Sequence, residues 1–307
     1  MKFKQLSNIE KLFLKLSDGR GYRKYKRQLQ AHLEAEFYLQ QTRQLKHVNL
    51  NHAFKQITSF KHSGNSGDII YSLPATFALA KNGKANLYID VNQPANYGSM
   101  YHPLGNVLMN DKMADMLLPL LQYQDQIGIA EKYRGEPVDY NLDEFRNYSF
   151  YLDRGSIVRW YFNVYGISYN TANPWLNAPK DNQFQSCIVI ARSHRYHAPL
   201  VDYSFLKKYP NKLFIGIEKE YEDMKQVLPD LQFKAVNDFL EMATIINSCK
   251  LFIGNQSFPF SIAEALKVTR LLESYYKVPN VIVDGPGGNE FLYQPQFEYA
   301  VKRLYEE

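Results

Sequence analysis

A chain of 307 residues with 45% hydrophobic and 15% aromatic content is long enough for two domains of ordinary size, each with its own core. No apolar run reaches the length of about 18 residues that a transmembrane helix needs, and no apolar signal core opens the sequence. The net charge of +5 is unevenly placed: residues 1–60 hold 12 Lys/Arg against 4 Asp/Glu, net +8, leaving 24 against 27, net −3, in the remainder.

A basic appendage on a mildly acidic body fits a solvated helical surface or a polyanionic neighbour, either nucleic acid or an anionic membrane face. The two cysteines, Cys187 and Cys249, fall in apolar runs and read as reduced core thiols of a cytoplasmic protein. No Cys/His cluster has metal-ligand spacing, so no metal is expected. The 24 tyrosines offer apolar rings with polar tips, suited to stacking on sugars or bases.

In chain order, residues 1–50 read as helical, with Leu12, Phe13 and Leu16 in one apolar stripe and Leu29, Leu33 and Phe37 in a second. Gly19-Arg-Gly21 is expected to break them apart. Residues 20–27, Arg-Gly-Tyr-Arg-Lys-Tyr-Lys-Arg, interleave aromatics with cations, a pattern that grips single strands or phosphate backbones. Residues 54–60 have the alternation of a short strand, and apolar residues at 69, 70, 73, 77 and 80 have helical spacing. Between them, Gly64-Asn-Ser-Gly67 makes a tight turn, and Asp68 follows at the helix start. Such a strand–turn–helix junction is a ready anion site, since free N–H groups and the helix dipole point outward; close packing alone would also account for the glycines. Pro74 predicts a kink there or a helix that properly begins near Leu73. The spacing matches neither the dinucleotide fingerprint nor the nucleotide-triphosphate phosphate loop.

A strand is expected over 85–91. Residues 94–112 are rich in Gly, Pro, Asn and Tyr and read as a long loop over the acceptor side of a cleft. A helix over 113–123, a short strand over 127–130, an irregular charged stretch to 149 and an aromatic helix over 155–165 follow. Residues 170–179 carry the prolines of a linker, and the domain boundary falls near 182. Beyond it, strands at 187–191, 213–217, 251–254 and 281–283 alternate with helices at 201–208, 221–227, 237–247 and 258–267, so a parallel sheet covered by helices is expected. Ligands of such sheets bind beyond the carboxyl ends of the strands. There, Arg192 and Arg195 are spaced to place two guanidinium groups over one phosphate pair. Asn255, Gln256 and Ser257 turn into a helix whose free amides form a second phosphate cradle, and Glu264 lies two turns in, placed to accept from ribose hydroxyls.

Two stretches resemble the heptosyltransferase-like glycosyltransferases with the GT-B fold. Gly67-Asp-Ile-Ile-Tyr-Ser-Leu-Pro-Ala75 is similar to that family's N-terminal Gly-Asp and Leu-Pro-Ala helix. Phe252-Ile-Gly-Asn-Gln-Ser-Phe-Pro-Phe-Ser-Ile-Ala-Glu-Ala-Leu266 is similar to its C-terminal strand, Gly-Asn-Asp-Ser-Gly-Pro turn and helix. Gln256, Phe258 and Ser261 depart from the family's Asp, Gly and His, which bears on donor orientation. The resemblance covers roughly residues 54–300. It implies an α/β protein of two Rossmann-like domains facing a central cleft, an acceptor domain with linker over 53–182 and a nucleotide-sugar domain over 183–307, and leaves the basic helical extension over 1–52 outside.

The implied activity is inverting, metal-independent transfer of a sugar from a nucleotide diphosphate sugar, as co-substrate, to a hydroxyl. By resemblance Asp68 is the base and the 255–257 turn contacts the diphosphate. A glycan or lipid-linked saccharide is the expected acceptor, with residues 20–27 resting on an anionic membrane surface. DNA bearing hydroxymethylated bases is an alternative acceptor, and a nucleotide-sugar epimerase or a non-catalytic sugar-nucleotide-binding protein are alternative functions.

Overall fold

The computed structural model describes residues 3–43, 45, 48–95, 105–147 and 151–306. The chain divides into two compact units, residues 1–48 with 146–150, and residues 49–145 with 151–307.

The first unit is built on two helices. In α1 (Asn8–Ser17), Ser7 and Glu10 form a reciprocal capping box. Asp18 then caps α2 (Gly19–Gln41) by accepting from the backbone N–H of Arg20 and Gly21. The break therefore falls at Asp18, and Gly19 and Gly21 lie inside the first turn of α2. A Cβ on Gly21 would meet the Asp18 carboxylate at 2.2 Å, so the glycine makes room for the cap. Tyr25 is buried against Phe3, ring centroids 5.8 Å apart, and its hydroxyl accepts from the N–H of Leu6. The helix thus sorts the interleaved aromatics and cations onto different faces, which removes this tyrosine from stacking on a base.

The second unit holds two parallel sheets. The first has the order β3-β2-β1-β4, with β1 at Ile57–His62, β2 at Lys84–Ile89, β3 at Ile127–Lys132 and β4 at Tyr140–Asn141. Helix α3 (Ser66–Ala80) follows β1 and is almost wholly buried. It begins at Ser66 and carries Pro74 in its interior. Proline has no N–H to give the carbonyl of Ile70 four residues back. That carbonyl accepts instead from the indole N–H of Trp175, at 3.1 Å. Helix α4 (Asp111–Gln122) and α5 (Ile157–Tyr165) complete this half, with Gly166 ending α5 in the left-handed conformation. The expected loop over 94–112 lies partly outside the described residues; at its ends, Pro94 and Val107 form an antiparallel bridge.

The second sheet has the order β10-β9-β8-β5-β6-β7, with β5 at Ile188–Ala191, β6 at Lys212–Phe214, β7 at Gln232–Phe233, β8 at Leu251–Asn255, β9 at Arg270–Glu273 and β10 at Gly288–Phe291. Between these strands run α6 (Glu218–Val227), α7 (Phe239–Ser248) capped by Asp238, α8 (Phe258–Leu266) and the closing α9 (Gln294–Glu306). Two expectations change. Residues 281–283 form no strand, and residues 204–208 form a short 3-10 helix rather than a full α-helix. The elements not expected are β4, β7, β9, β10 and α9; of these, β9 has ends, Arg270 and Glu273, that are both fully buried. Several tyrosines are structural: Tyr161, Tyr165 and Tyr203 are buried, and the Tyr165 hydroxyl donates to the carbonyl of Asn141. Cys187 and Cys249 are free and partly buried, and burial pushes both thiols up from their ordinary pKa.

Candidate active site

The strand order reverses direction between β5 and β8: from β5 the chain builds outward to β6 and β7, then returns to β8, β9 and β10. A crevice beyond the carboxyl ends at such a reversal is the general ligand position of open α/β sheets. Here the two ends are Ala191 and Gly254, which pair in register. A Cβ on Gly254 would sit 3.0 Å from the carbonyl oxygen of Ala191, so the close approach of the two strands requires glycine. Arg192, Arg195, Asn255, Gln256 and Ser257 all emerge at this point.

Asn255 is fully buried and works as a latch. Its amide donates to the carbonyls of Ser193 and Arg195 and accepts from the Ser193 N–H at 3.0 Å, fixing the loop after β5. Gln256 does the same for the loop after β9. Its amide donates to the carbonyl of Val278 at 2.6 Å and to Asn280, and its oxygen accepts from the N–H of Tyr275. Asn280 in turn reaches the carbonyl of Leu152, so this loop ties the two sheet-bearing halves together.

The two arginines do not act as a pair. Arg192 makes a two-pronged ion pair with buried Glu273, at 2.6 and 2.8 Å, and stacks over Tyr203. Burial opposes the charge on Arg192, but the Glu273 hydrogen bonds outweigh it and raise its pKa. Arg195 is half-buried, with its guanidinium 5.4 Å over the Tyr196 ring and no salt bridge among the described residues. Glu264 is likewise engaged. It is 1% exposed and bound by Arg270 at 2.6 Å and by Lys267, and it accepts from the N–H of Asp284. Its carboxylate neutralises two buried cations and is not open to a ribose hydroxyl.

On the facing side, the turn before α3 is held from behind. Both oxygens of the Asp143 carboxylate accept from the N–H of Ser63, at 3.1 and 3.0 Å. The Gly64 N–H donates to Nδ1 of fully buried His62, which leaves the His62 proton on Nε2 facing the Tyr161 hydroxyl at 2.9 Å. Tyr161 then donates to the carbonyl of Asp68 at 3.2 Å. His62, Asp143 and Tyr161 were not singled out from the sequence; only the alternation of β1, which turns His62 inward, signalled one of them. Asn65 is the N-cap of α3 and its side chain makes no cap bond, Ser66 is buried beside Met109, and Asp68 is half-buried.

These two sides meet. A Cβ on Gly67 would lie 3.8 Å from the Ser261 hydroxyl and 3.9 Å from the Cα of Phe258. The first turn of α3, carrying Asp68, therefore abuts the first turn of α8, which Ser257 opens without a side-chain cap bond. Two helix N-termini from separate sheets share one place, both with partial positive charge. Among the described residues no group of three or more His, Cys, Asp or Glu side chains is placed to hold a metal ion, and no helix is long and apolar enough to cross a membrane.

No family model matches the chain, and no curated protein matches it in sequence. Solved structures do match. The glycosyl transferase family 9 protein of Veillonella parvula is 13% identical, with a TM-score of 0.51 over 82% of this chain and 89% of that one. E. coli heptosyltransferase WaaC with ADP is 10% identical, with a TM-score of 0.52 over 81% of this chain and 99% of that one. The dodecameric iron-containing heptosyltransferase TibC, in complex with ADP-D-beta-D-heptose, is 13% identical, with a TM-score of 0.52 over 82% and 78%. The chain has the two-sheet GT-B fold of the heptosyltransferase-like glycosyltransferases.

Proposed function

We propose that the chain is an inverting, metal-independent glycosyltransferase that moves a sugar from a nucleotide diphosphate sugar to a hydroxyl of a glycan or lipid-linked saccharide. Residues 53–182 serve the acceptor and residues 183–307 the donor. One observation carries the reading: the Asp68 turn lies against the first turn of α8, at the point where the second sheet reverses its strand order. The fold shared with proteins solved with ADP and with ADP-heptose supports it.

In this reading Asp68 accepts the proton of the acceptor hydroxyl as that oxygen attacks the anomeric carbon. The bond from that carbon to the diphosphate breaks, and the diphosphate leaves with the electron pair. The amides opening α3 and α8, with Arg195, offset the charge that develops on it, which is ordinarily the larger electrostatic contribution. Arg192, Asn255, Gln256 and Glu264 act at one remove, by fixing the loops that carry these groups.

Incubation of the full chain with a panel of tritiated nucleotide sugars and bacterial glycan and lipid fractions tests the assignment. Transfer is expected with one donor, and Asp68→Ala abolishes it while the variant still binds the nucleotide within a few-fold of the parent. Full transfer by Asp68→Ala removes the base. Conversion of a nucleotide sugar without any acceptor replaces transfer with epimerisation.

A further inference from the structure

Among the described residues, the first unit carries an exposed apolar helix face. On α1, Ile9, Leu12, Phe13 and Leu16 recur at the spacing of one helix face, and they are 82%, 59%, 73% and 79% exposed. On α2, Leu33 and Phe37 continue the pattern, about half exposed. Four large side chains on two turns form a patch that a surface helix does not carry by accident. Lys15 is exposed at the edge of this face, and Arg20, Arg23, Lys24 and Arg27 form an exposed stripe along α2. Over residues 3–43 the charge is nine Lys/Arg against four Asp/Glu, net +5.

We propose that this helical pair is a docking device for an anionic lipid surface, with the α1 face entering the headgroup boundary and the surrounding cations neutralising headgroup charge. An amphipathic helix with large apolar residues on one face, a lysine at its edge and a basic helix next in the chain has the composition of an interfacial anchor. The juxtaposed basic residues add the electrostatic part, worth about one kcal/mol per Lys or Arg near such a surface, or roughly fivefold in affinity.

Two other occupants fit less well. Nucleic acid would use the cations but leave the α1 face in water, and buried Tyr25 is withdrawn from stacking. A second copy of the hairpin would cover the apolar face but bring two net +5 surfaces together. The inference does not depend on the transferase reading, because it concerns residues outside the GT-B core.

Co-sedimentation of the full chain with phosphatidylcholine vesicles, with and without phosphatidylglycerol, tests it. The chain is expected to pellet with the anionic vesicles, to release as salt rises, and to bind phosphatidylcholine alone far more weakly. Leu12→Glu with Phe13→Glu abolishes binding, and Arg23→Glu with Lys24→Glu weakens it by roughly tenfold or more. All four positions are exposed, so unchanged circular dichroism is expected, and the salt titration of the unaltered chain stands independently of any variant. Absence from both vesicle pellets overturns the proposal. So does equal binding to both vesicle types, salt-sensitive binding to duplex DNA with none to vesicles, or a dimer in sedimentation that Leu12→Glu with Phe13→Glu dissociates while lipid binding persists.

Discussion

Tyr71 sits one turn after Asp68, its hydroxyl fully buried and without a hydrogen-bond partner among the described residues. Burial, reinforced by the nearby Glu264 carboxylate, raises its pKa well above the ordinary phenol value, so the group stays neutral. A buried hydroxyl that has lost water and gained nothing costs about 1–3 kcal/mol. Tyr71→Phe keeps the ring and removes the unmet group, so it should raise the melting temperature by roughly 2 °C or more, by calorimetry; a lower melting temperature would show that the hydroxyl has a partner. Residue chemistry was the least legible part of the sequence. Arg192, Asn255, Gln256 and Glu264 are polar groups beside glycine-bearing turns, which is what ligand contacts look like in one dimension. Arg192 and Asn255 are instead consumed by partners distant in sequence, Glu273 and the loop at 193–195, Gln256 by the loop after β9, and Glu264 by Lys267 and by Arg270 on the next strand. Nothing local distinguishes a side chain that binds a ligand from one that holds the loop that does.

At the scale of elements, Pro74 is the instructive case. A proline in the ninth position of a fifteen-residue helix frees one carbonyl, and the structure meets that carbonyl with a tryptophan from the segment between the two sheets. Trp175 also donates its backbone N–H to the carbonyl of Ala265 and lies beneath the Lys267 ammonium at 4.4 Å, so one residue joins α3 to α8. Trp175→Phe keeps most of the apolar contact but strands the Ile70 carbonyl; it should lower stability by about 1–3 kcal/mol in urea denaturation. A loss well below about 1 kcal/mol would mean that water replaces the indole. Helices and strands with strong periodicity were legible, α3, α5, α7 and α8 among them. Strand β9 was not, because Arg270 and Glu273 at its ends read as surface residues until Glu264 and Arg192 are seen to neutralise them.

For the whole molecule, the alternation of strands and helices is enough to imply parallel sheets, and the two motifs flanking them carry the resemblance that the solved structures match in fold. What the sequence withholds is the meeting of the two motifs, since some 190 residues separate them and only the packing of α3 on α8 closes the distance. We propose that this junction holds a nucleoside diphosphate, with Arg195 on its anionic side and Asp68 on the acceptor side. Isothermal titration of ADP, UDP and GDP into the full chain tests it most directly, alongside Arg195→Ala and Asp68→Ala. One of the three nucleotides is predicted to bind the parent chain, about tenfold or more weakly to Arg195→Ala, as loss of a charge-assisted phosphate contact requires, and nearly unchanged to Asp68→Ala. No binding of any of the three, or equal affinity in the parent and Arg195→Ala, would contradict it.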